Sequence, residues 1–588
     1  MDSSNREQGK NRHIRTAKLM NSRFQSIAVP RISARICSLI TVMVDSLVAA
    51  RFIAPEALAA ITLLSSVFVF MSFFHDIFVS GVTTVIVRKK SLGLNREADR
   101  ALGSFTLVTL LVFGSMSAVL MIFGREILGL FTDDAALVEQ ALKYYYPSMI
   151  AAPINETLLC LERGFQTDGR PGFFAFRGVI TNILNIILDI TVVVLFQAGI
   201  FGLAVASIVS TWVGYGCTMS HLFSDKCTIK PDFSVIRKSK EMCSYIREAM
   251  GVGMVYAIDD GLDIAVSATL NKSILSAGGV PAFTVFSVFL VIKNLFDSVK
   301  VVFQTVVLDL CTVQYTEEDR EGFRLVFWRG LRDVLFIGIL FAAGLELFPR
   351  QLAAVYHVSW QSSGDMFAGC VRLCALALPF TGVISVFSAL MIASKHNKTA
   401  GMMVTISNVM MLVGLFMGNR LYGLNGIWIA YFMIPAIVAL AETVLVRRAG
   451  ILRADDRKAV VGSFSAELDD RSMLEISRQV YDFLNENEAV STFAAKISLL
   501  LEESYVLIRN QNKELGRPVH IDIKLCIEGA KLIIVLYDDG LPFDPVGQMS
   551  DPDNPELIHL SGKVLTGLAP DSEYRRIMEL NSTRLVIR

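Results

Sequence analysis

Charge is what this sequence has little of. Of 588 residues, 19% are Asp, Glu, Lys or Arg and 53% are apolar, and the mean hydropathy is +0.51. Soluble chains average roughly 25% charged residues, so lipid is the expected solvent for much of this chain. Nine cysteines are scattered from Cys37 to Cys526, an odd number with no CxxC pair. That excludes a disulfide framework or a zinc module and leaves them as small apolar fillers of helices. Seven histidines occur, none in an HxxxH pair, so no metal site is expected. The first two dozen residues are polar and basic, without an apolar core before a small-residue cleavage site, and no secretory signal is expected in them. The 55 basic residues are balanced by 55 acidic ones, and no nucleic-acid partner is expected.

The balance hides an asymmetry. Residues 449–588 hold 16 Lys+Arg against 23 Asp+Glu, and the preceding 448 hold 39 against 32. A basic membrane part followed by an acidic soluble part is the simplest organisation. A span needs about 20 mostly apolar residues. Twelve stretches qualify: 33–53, 56–87, 101–124, 136–161, 172–197, 199–222, 245–268, 280–312, 325–348, 366–393, 400–419 and 424–446. The first is interrupted by Arg35 and Asp45.

Basic residues concentrate in alternate loops. Arg6 to Arg23, Arg88 to Arg100, Arg163 and Arg170, Lys226 to Arg247, Lys395 and Lys398, and Arg447 and Arg448 lie on one side. The opposite loops hold single residues such as Arg51, Arg125, Lys272 and Arg350. By the positive-inside rule both termini are cytoplasmic, and the protein is expected in the cell membrane.

The membrane part also looks duplicated. Gly199-Ile-Phe-Gly202 echoes Gly423-Leu-Asn-Gly426, with Asn185 and Asn408 lying 14 and 15 residues before the two motifs, and Pro55 and Pro281 start corresponding spans. Two six-helix lobes are expected, a known transporter plan with the site between or within lobes. The fold class is therefore an all-α membrane protein of twelve helices with a small α+β domain at the C-terminus. The expected units are an N-terminal tail (1–30), an N-lobe (31–224), a C-lobe (225–448), a linker (449–460) and a cytoplasmic domain (461–588).

A carboxylate at the bilayer centre costs roughly 2.5–3.5 kcal/mol on insertion scales and needs a reason to be there. Asp45 lies in span 1. Asn185 and Asp189, one helical turn apart, share a face of span 5, and Ser207 lies in span 6. Two carboxylates with Asn and Ser oxygens suit a proton or a hard cation such as sodium, and a structural hydrogen-bond network is the bland alternative. Asp260 and Asp263 in span 7, next to Asp259, are secondary candidates. Lys293 and Asp297, four apart in span 8, read as a neutralising pair. His75 and Asp76 read as cavity liners near an interface. No catalytic residue is expected in the membrane part.

Several of these pieces resemble one family. Val44-Asp45-Ser46 followed by Pro55-Glu56-Ala57-Leu58-Ala59-Ala60-Ile61, Arg163-Gly164 through Asp168-Gly169-Arg170-Pro171, Asn185-Ile-Ile-Leu-Asp189, and Gly199-Ile-Phe-Gly202 through Ala206-Ser207 resemble motifs of the multidrug and toxic-compound extrusion (MATE) exporters, over residues 30–448. The resemblance implies a two-lobed antiporter expelling amphipathic, often cationic compounds in exchange for protons or sodium ions. It implies coupling residues at Asp45, Asn185, Asp189 and Ser207. The branch that couples through acidic residues in spans 7 and 10 fits less well, because span 10 has Arg372 and no carboxylate. One charge moving through about 100 mV supplies roughly 2.3 kcal/mol.

Beyond Arg448, strands are expected at 461–468, 519–527, 531–537, 572–579 and 581–588, and helices at 470–486, 490–511 and 556–569. Asp538-Asp539-Gly540 through Pro545, Glu502-Glu503, Tyr574 and Asn581 through Leu585 resemble the ATP-binding GHKL domains of anti-sigma-factor kinases. The resemblance implies an adenine contact at Asp538, a tight turn at Gly540 and the N-box glutamate of the nucleotide site at Glu503. The metal-binding Asn of that family falls at Leu507 and the second glycine box near His559 and Ser561. ATP with magnesium is therefore a weak expectation, no cofactor is required, and a regulatory module with a cytoplasmic protein partner is the stronger one. Two other functions compete with this reading. A membrane-bound regulator with a serine-kinase-like tail needs the eroded nucleotide site, and its histidine-kinase version lacks a phosphoacceptor, since no His lies between His396 and His520. A lipid-linked precursor flippase of the same superfamily would carry a strongly basic central cavity.

Overall fold

The computed structural model describes residues 17–587 apart from 49–51, 54, 131–133, 169–170, 225–226, 356–359, 453–459, 488–489, 529–530, 546–571 and 579. Helices dominate up to Arg448. They are α1 (Lys18–Val48), α2 (Pro55–Phe78), α3 (Val82–Ser91), α4 (Asn95–Ile122), α5 (Gly124–Gly129), α6 (Ala135–Phe165), α7 (Pro171–Ile190) and α8 (Gly199–Ser220). After them come α9 (Ser239–Thr316), α10 (Arg320–Leu347), α11 (Pro349–Val355), α12 (Trp360–Ala375), α13 (Leu378–Ala393) and α14 (Asn397–Arg448).

Two of these are pairs of helices joined at a sharp break. Gly279 (φ 64°) divides the 78-residue α9, and Gly423 (φ 56°) divides the 52-residue α14. Gly199, the partner of Gly423 in the sequence echo, also has a positive φ, 60°. A side chain strains this backbone region and glycine does not, so the repeated glycine marks the same reversal in each half. Among the described residues, six stretches are long and apolar enough to cross a bilayer: Val67–Ser91, Asn95–Ile122, Gly172–Leu195, Gly199–Phe223, Gly364–Ala393 and Asn397–Arg448.

The helices enclose separate cores. One, around Phe105, Phe113, Tyr145 and Phe165, lies within the first half. Another, around Phe286, Phe289, Trp428 and Tyr431, lies within the second. A third joins the halves at the end where α1 begins. Phe24 stacks on Phe303 with ring centroids 5.9 Å apart, Arg31 pairs with Asp309 at 2.9 Å, and Arg88 donates to the carbonyl of Ile392 at 2.7 Å.

The C-terminal domain is a five-stranded antiparallel sheet in the order β1-β2-β3-β5-β4. Its strands are β1 (Val460–Glu467), β2 (His520–Glu528), β3 (Lys531–Asp538), β4 (Glu573–Ile577) and β5 (Leu580–Ile587), with helices α15 (Asp470–Asn485) and α16 (Ala494–Asn512). The helices cover one sheet face through Ile521, Ile523, Leu525, Ile534 and Leu536. This is the expected α+β layer, each described element lying within a few residues of its expected place. The expected helix 556–569 falls outside the described residues.

The domain is docked on the membrane part at the end where the two halves meet. Tyr537, Ile577, Met578 and Leu580 join the core that contains Leu19, Phe24, Val313 and Phe323. Met578 occupies the β4–β5 turn with φ 52° and is 2% exposed. Its N–H points to the carbonyl of Thr167 at 3.4 Å. Arg575 donates to the carbonyl of Ser91. Lys524 reaches the carbonyl of Glu318 at 3.0 Å and the carboxylate of Asp319 at 3.7 Å. The hairpin and sheet thus touch both halves at once.

Candidate ion-coupling site

Helix α1 packs along α7, which brings Asp45 and Asp189 to one seam. Their carboxyl groups lie within hydrogen-bonding reach of each other. Asp189 is fully buried and Asn185 is 5% exposed. Among the described residues, neither oxygen of Asp189, nor Oδ1 of Asp45, receives a hydrogen bond. One turn before Asp189, Asn185 donates from Nδ2 to the Ser207 hydroxyl on α8 at 3.3 Å. Val48, Val193 and Leu203 pack together beside the pair, with Val44 and Tyr144 against them. The chain after Asp189 widens into a π-helical turn, Thr191–Leu195, a local irregularity that is frequent at functional sites.

The four expected residues therefore converge from three helices, and the structure adds Tyr144. From α6, the Tyr144 hydroxyl lies within reach of Ser207 and close enough to feel both carboxylates. Oxygen-rich, apolar-walled and short of donors, this cluster has the chemistry of a cation site. A buried carboxylate without a donor is costly unless a proton or cation meets it.

The span 7 carboxylates do not gather into one site. Asp260 meets Asp76 on α2, while Asp259 accepts from Asn408 at 3.2 Å. Asp263 is exposed and is near enough to Lys293 for their charges to interact. Asp297 lies between Lys293 at 2.6 Å and Lys300 at 2.7 Å, the expected neutralising pair with a second lysine added. His75 pairs with Glu156 at 2.7 Å.

Residues 30–191 match the MatE family model. No curated protein matches the chain. Among solved structures, an outward-facing multidrug resistance MATE family transporter of the MOP superfamily shares 18% identity at a TM-score of 0.67, over 74% of this chain and 96% of its own. A Pyrococcus furiosus MOP superfamily transporter, described as having a binding pocket of reverse polarity, shares 18% at 0.66 over 74% and 96%. A Vibrio cholerae MATE transporter shares 16% at 0.67 over 74% and 97%. The membrane part has the MATE fold.

Within this MATE fold the connection between α6 and α7 carries a second polar cluster. Asp168, His221 and Cys227 offer three ligand atoms within 4.8 Å of one another. A metal ion would have to displace Lys90, whose ammonium is 2.7 Å from Asp168. Burial pushes the Cys227 thiol up to about 11, which keeps it a neutral and poor ligand. Burial alone would also raise the Asp168 carboxyl, but hydrogen bonds from His221, Lys90 and Thr228 outweigh it and hold it below its ordinary value. The cluster reads as a buried ion pair joining three loops of the MATE fold's first half.

In the appended domain, Asp538, Gly540, Tyr574 and Asn581 come together. Asn581 donates to Asp538 at 2.7 Å, and Tyr574 donates to Asn581 at 2.8 Å. Burial pushes the Asp538 carboxyl up to about 6 against these hydrogen bonds. Gly540 lies against the Asn512 side chain, where a Cβ would come within 2.5 Å of it. Glu503 lies nine residues before Asn512 on α16, about 13 Å along a helix rising 1.5 Å per residue, and Leu507 is buried in the domain core. The neighbouring Glu502 accepts from Ser477 on α15. His559 and Ser561 lie outside the described residues. Asp539 is engaged by the membrane part, since the Ser22 hydroxyl donates to its carboxylate at 2.8 Å and Arg23 to its carbonyl at 2.7 Å. Sequence reasoning had no signal for this contact.

Proposed function

We propose that the protein is a secondary antiporter that exports amphipathic or cationic small molecules across the cell membrane in exchange for protons or sodium ions. The carrying observation is the Asp45–Asp189 pair, with three oxygens that receive no hydrogen bond from the described residues. A proton or sodium ion entering the pair would relieve repulsion between two carboxylates. Asn185, Ser207 and Tyr144 would then supply neutral oxygens and orientation. In this reading twelve spans place both termini in the cytoplasm. The membrane part needs no cofactor and has no enzymatic chemistry.

The C-terminal domain acts as a cytoplasmic regulator of lobe motion. Its support is the docking of β3 and the β4–β5 turn across the ends of both halves, where alternating access requires the lobes to part. Nucleotide binding at Asp538 is secondary, because the Asn expected near Glu503 is the buried Leu507. The titration that would revise this assignment is full-length protein with ATP and magnesium, where saturable micromolar binding would raise it.

The deciding experiment is efflux of a fluorescent amphipathic cation from proteoliposomes under an imposed proton or sodium gradient. Gradient-dependent efflux lost in Asp45→Asn and Asp189→Asn supports the reading. Efflux indifferent to both gradients, or unchanged in both variants, overturns it.

A further inference from the structure

The described residues line a half-open cavity of about 310 Å³ that is separate from the Asp45–Asp189 pair. It lies at the same α1–α7 seam, closer to the docked domain. Arg31 and Arg35 of α1, Arg177 of α7 and Glu162 of α6 line it. Asp45 is ten residues beyond Arg35 and Asp189 twelve beyond Arg177, roughly 15–18 Å along helices at 1.5 Å per residue. The remaining walls include Phe174, Val302 and Met578, so each half and the docked domain contribute to it.

The charges of this lining do not cancel. Glu162 is taken by Arg177, which also lies over the Tyr215 ring at 5.1 Å. Arg31 is taken by Asp309. Arg35 has no acidic partner among the described residues. Arg31 and Arg35 are also one turn apart on one helix face, where like charges repel. The Nε of Arg177 is buried and donates to no described residue. Placing the unpaired Arg35 guanidinium beside that of Arg31 on one wall of a cavity with apolar sides is unfavourable unless an anion meets it, and guanidinium is the group best shaped for carboxylate and phosphate.

We propose that this cavity is a binding site for the anionic head group, phosphate or carboxylate, of an amphipathic molecule. Arg35 supplies the uncompensated charge, Arg31 and the Arg177 Nε orient the head group, and Phe174, Val302 and Met578 meet its apolar body. The site is distinct from the carboxylate pair, and its ligand has the opposite charge to the coupling ion. It goes beyond the antiport reading and does not depend on it, because binding is measured with no ion gradient.

The test uses purified full-length protein in an uncharged detergent, titrated with 1-naphthyl phosphate and, separately, with 1-naphthyl-trimethylammonium. The expected result is saturable binding of the phosphate probe, weakened at least tenfold by Arg35→Gln and further by Arg35→Glu. Binding of the cationic probe should be unaffected or improved by the same changes. Arg35 is exposed, so these variants are expected to fold. The double variant Arg31→Gln with Asp309→Asn removes the second guanidinium without leaving a lone buried charge, and should also weaken the phosphate probe. A second arm measures retention of phosphatidylglycerol against phosphatidylcholine by native mass spectrometry. Phosphatidylglycerol retained by the parent, lost in Arg35→Glu and displaced by the phosphate probe identifies a lipid as the source of the head group. Phosphate binding with no lipid preference identifies a soluble amphipathic anion. Phosphate affinity within twofold of the parent in both Arg35→Glu and the double variant overturns the proposal.

Discussion

At the scale of residues, the membrane part spends its buried polar groups in two ways. Lys90 and Asp168 neutralise each other, and the pair is completed by His221 and Thr228. Breaking a buried pair from one side costs about 3–5 kcal/mol because it strands the other charge. Lys90→Met is therefore expected to lower the Tm by several degrees, and adding Asp168→Asn should recover part of the loss in the same thermal-unfolding assay. Asp45 and Asp189 differ in having no such partner. Asn at either position should reduce gradient-driven efflux more than tenfold while leaving the Tm unchanged or higher. Tyr144→Phe, which removes only the hydroxyl at Ser207, should cost severalfold in efflux. A Tyr144→Phe loss equal to that of Asp189→Asn would make Tyr144 a member of the ion site itself. The spacing of Asn185 and Asp189 made their shared face legible. Tyr144 was not legible, because it stands in a run of three tyrosines that point about 100° apart around a helix, and only packing decides which one faces the site.

At the scale of elements, the glycine breaks and the β4–β5 hairpin matter most. Gly423 requires a positive φ between the two arms of α14. Gly423→Ala is expected to cost about 1 kcal/mol or more, read as a lower Tm. Met578 sits where the hairpin meets both halves. Met578→Asp would bury an unpaired charge and should release the hairpin. Spin labels at positions 18 and 467, now joined by a 2.7 Å ion pair, should then show a broadened distance distribution. If the docked domain restrains lobe motion, transport should rise in the same variant. The hairpin's two strands were expected, at 572–579 and 581–588. Its partner was not, because a turn tip carries no sequence pattern for what it touches.

At the scale of the whole molecule, docking should respond to pH through Glu317, which caps the C-terminal end of α9. Burial pushes its carboxyl up to about 7. Tyr537, Arg575 and Lys524 oppose that rise and Asp319 adds to it. An undocked Glu has an ordinary pKa near 4.3, so between about pH 4.5 and 7 the docked state holds more protons. Docking is then strongest at the acid end of that range, weakens as pH rises through it and levels off above about 7. Asp539 has the opposite sign. Burial would raise its carboxyl, but Arg23, the His520 N–H, Ser22 and Arg517 hold it below the ordinary value, so its contribution is lost only as pH falls through the acid range. The distance distribution between positions 18 and 467 should therefore broaden from pH 5 to pH 7. Glu317→Gln should remove that change, and an unchanged pH response in Glu317→Gln would assign it to another group.

The sequence by itself determined the membrane character, the apolar stretches, the glycine echo, the order of strands and helices in the tail, and the four polar residues at the α1–α7 seam. These are local properties, set by composition, periodicity and spacing along the chain. Only the tertiary structure decided that Asp45 faces Asp189 with no donor to three of their oxygens among the described residues. Only it placed the tail's sheet against both halves, with Asp539 held by Arg23, and set Arg31, Arg35 and Arg177 around one cavity. Each of these joins residues far apart in sequence. Whether two side chains meet across helices depends on the rotation and packing of those helices, which no spacing within one helix specifies.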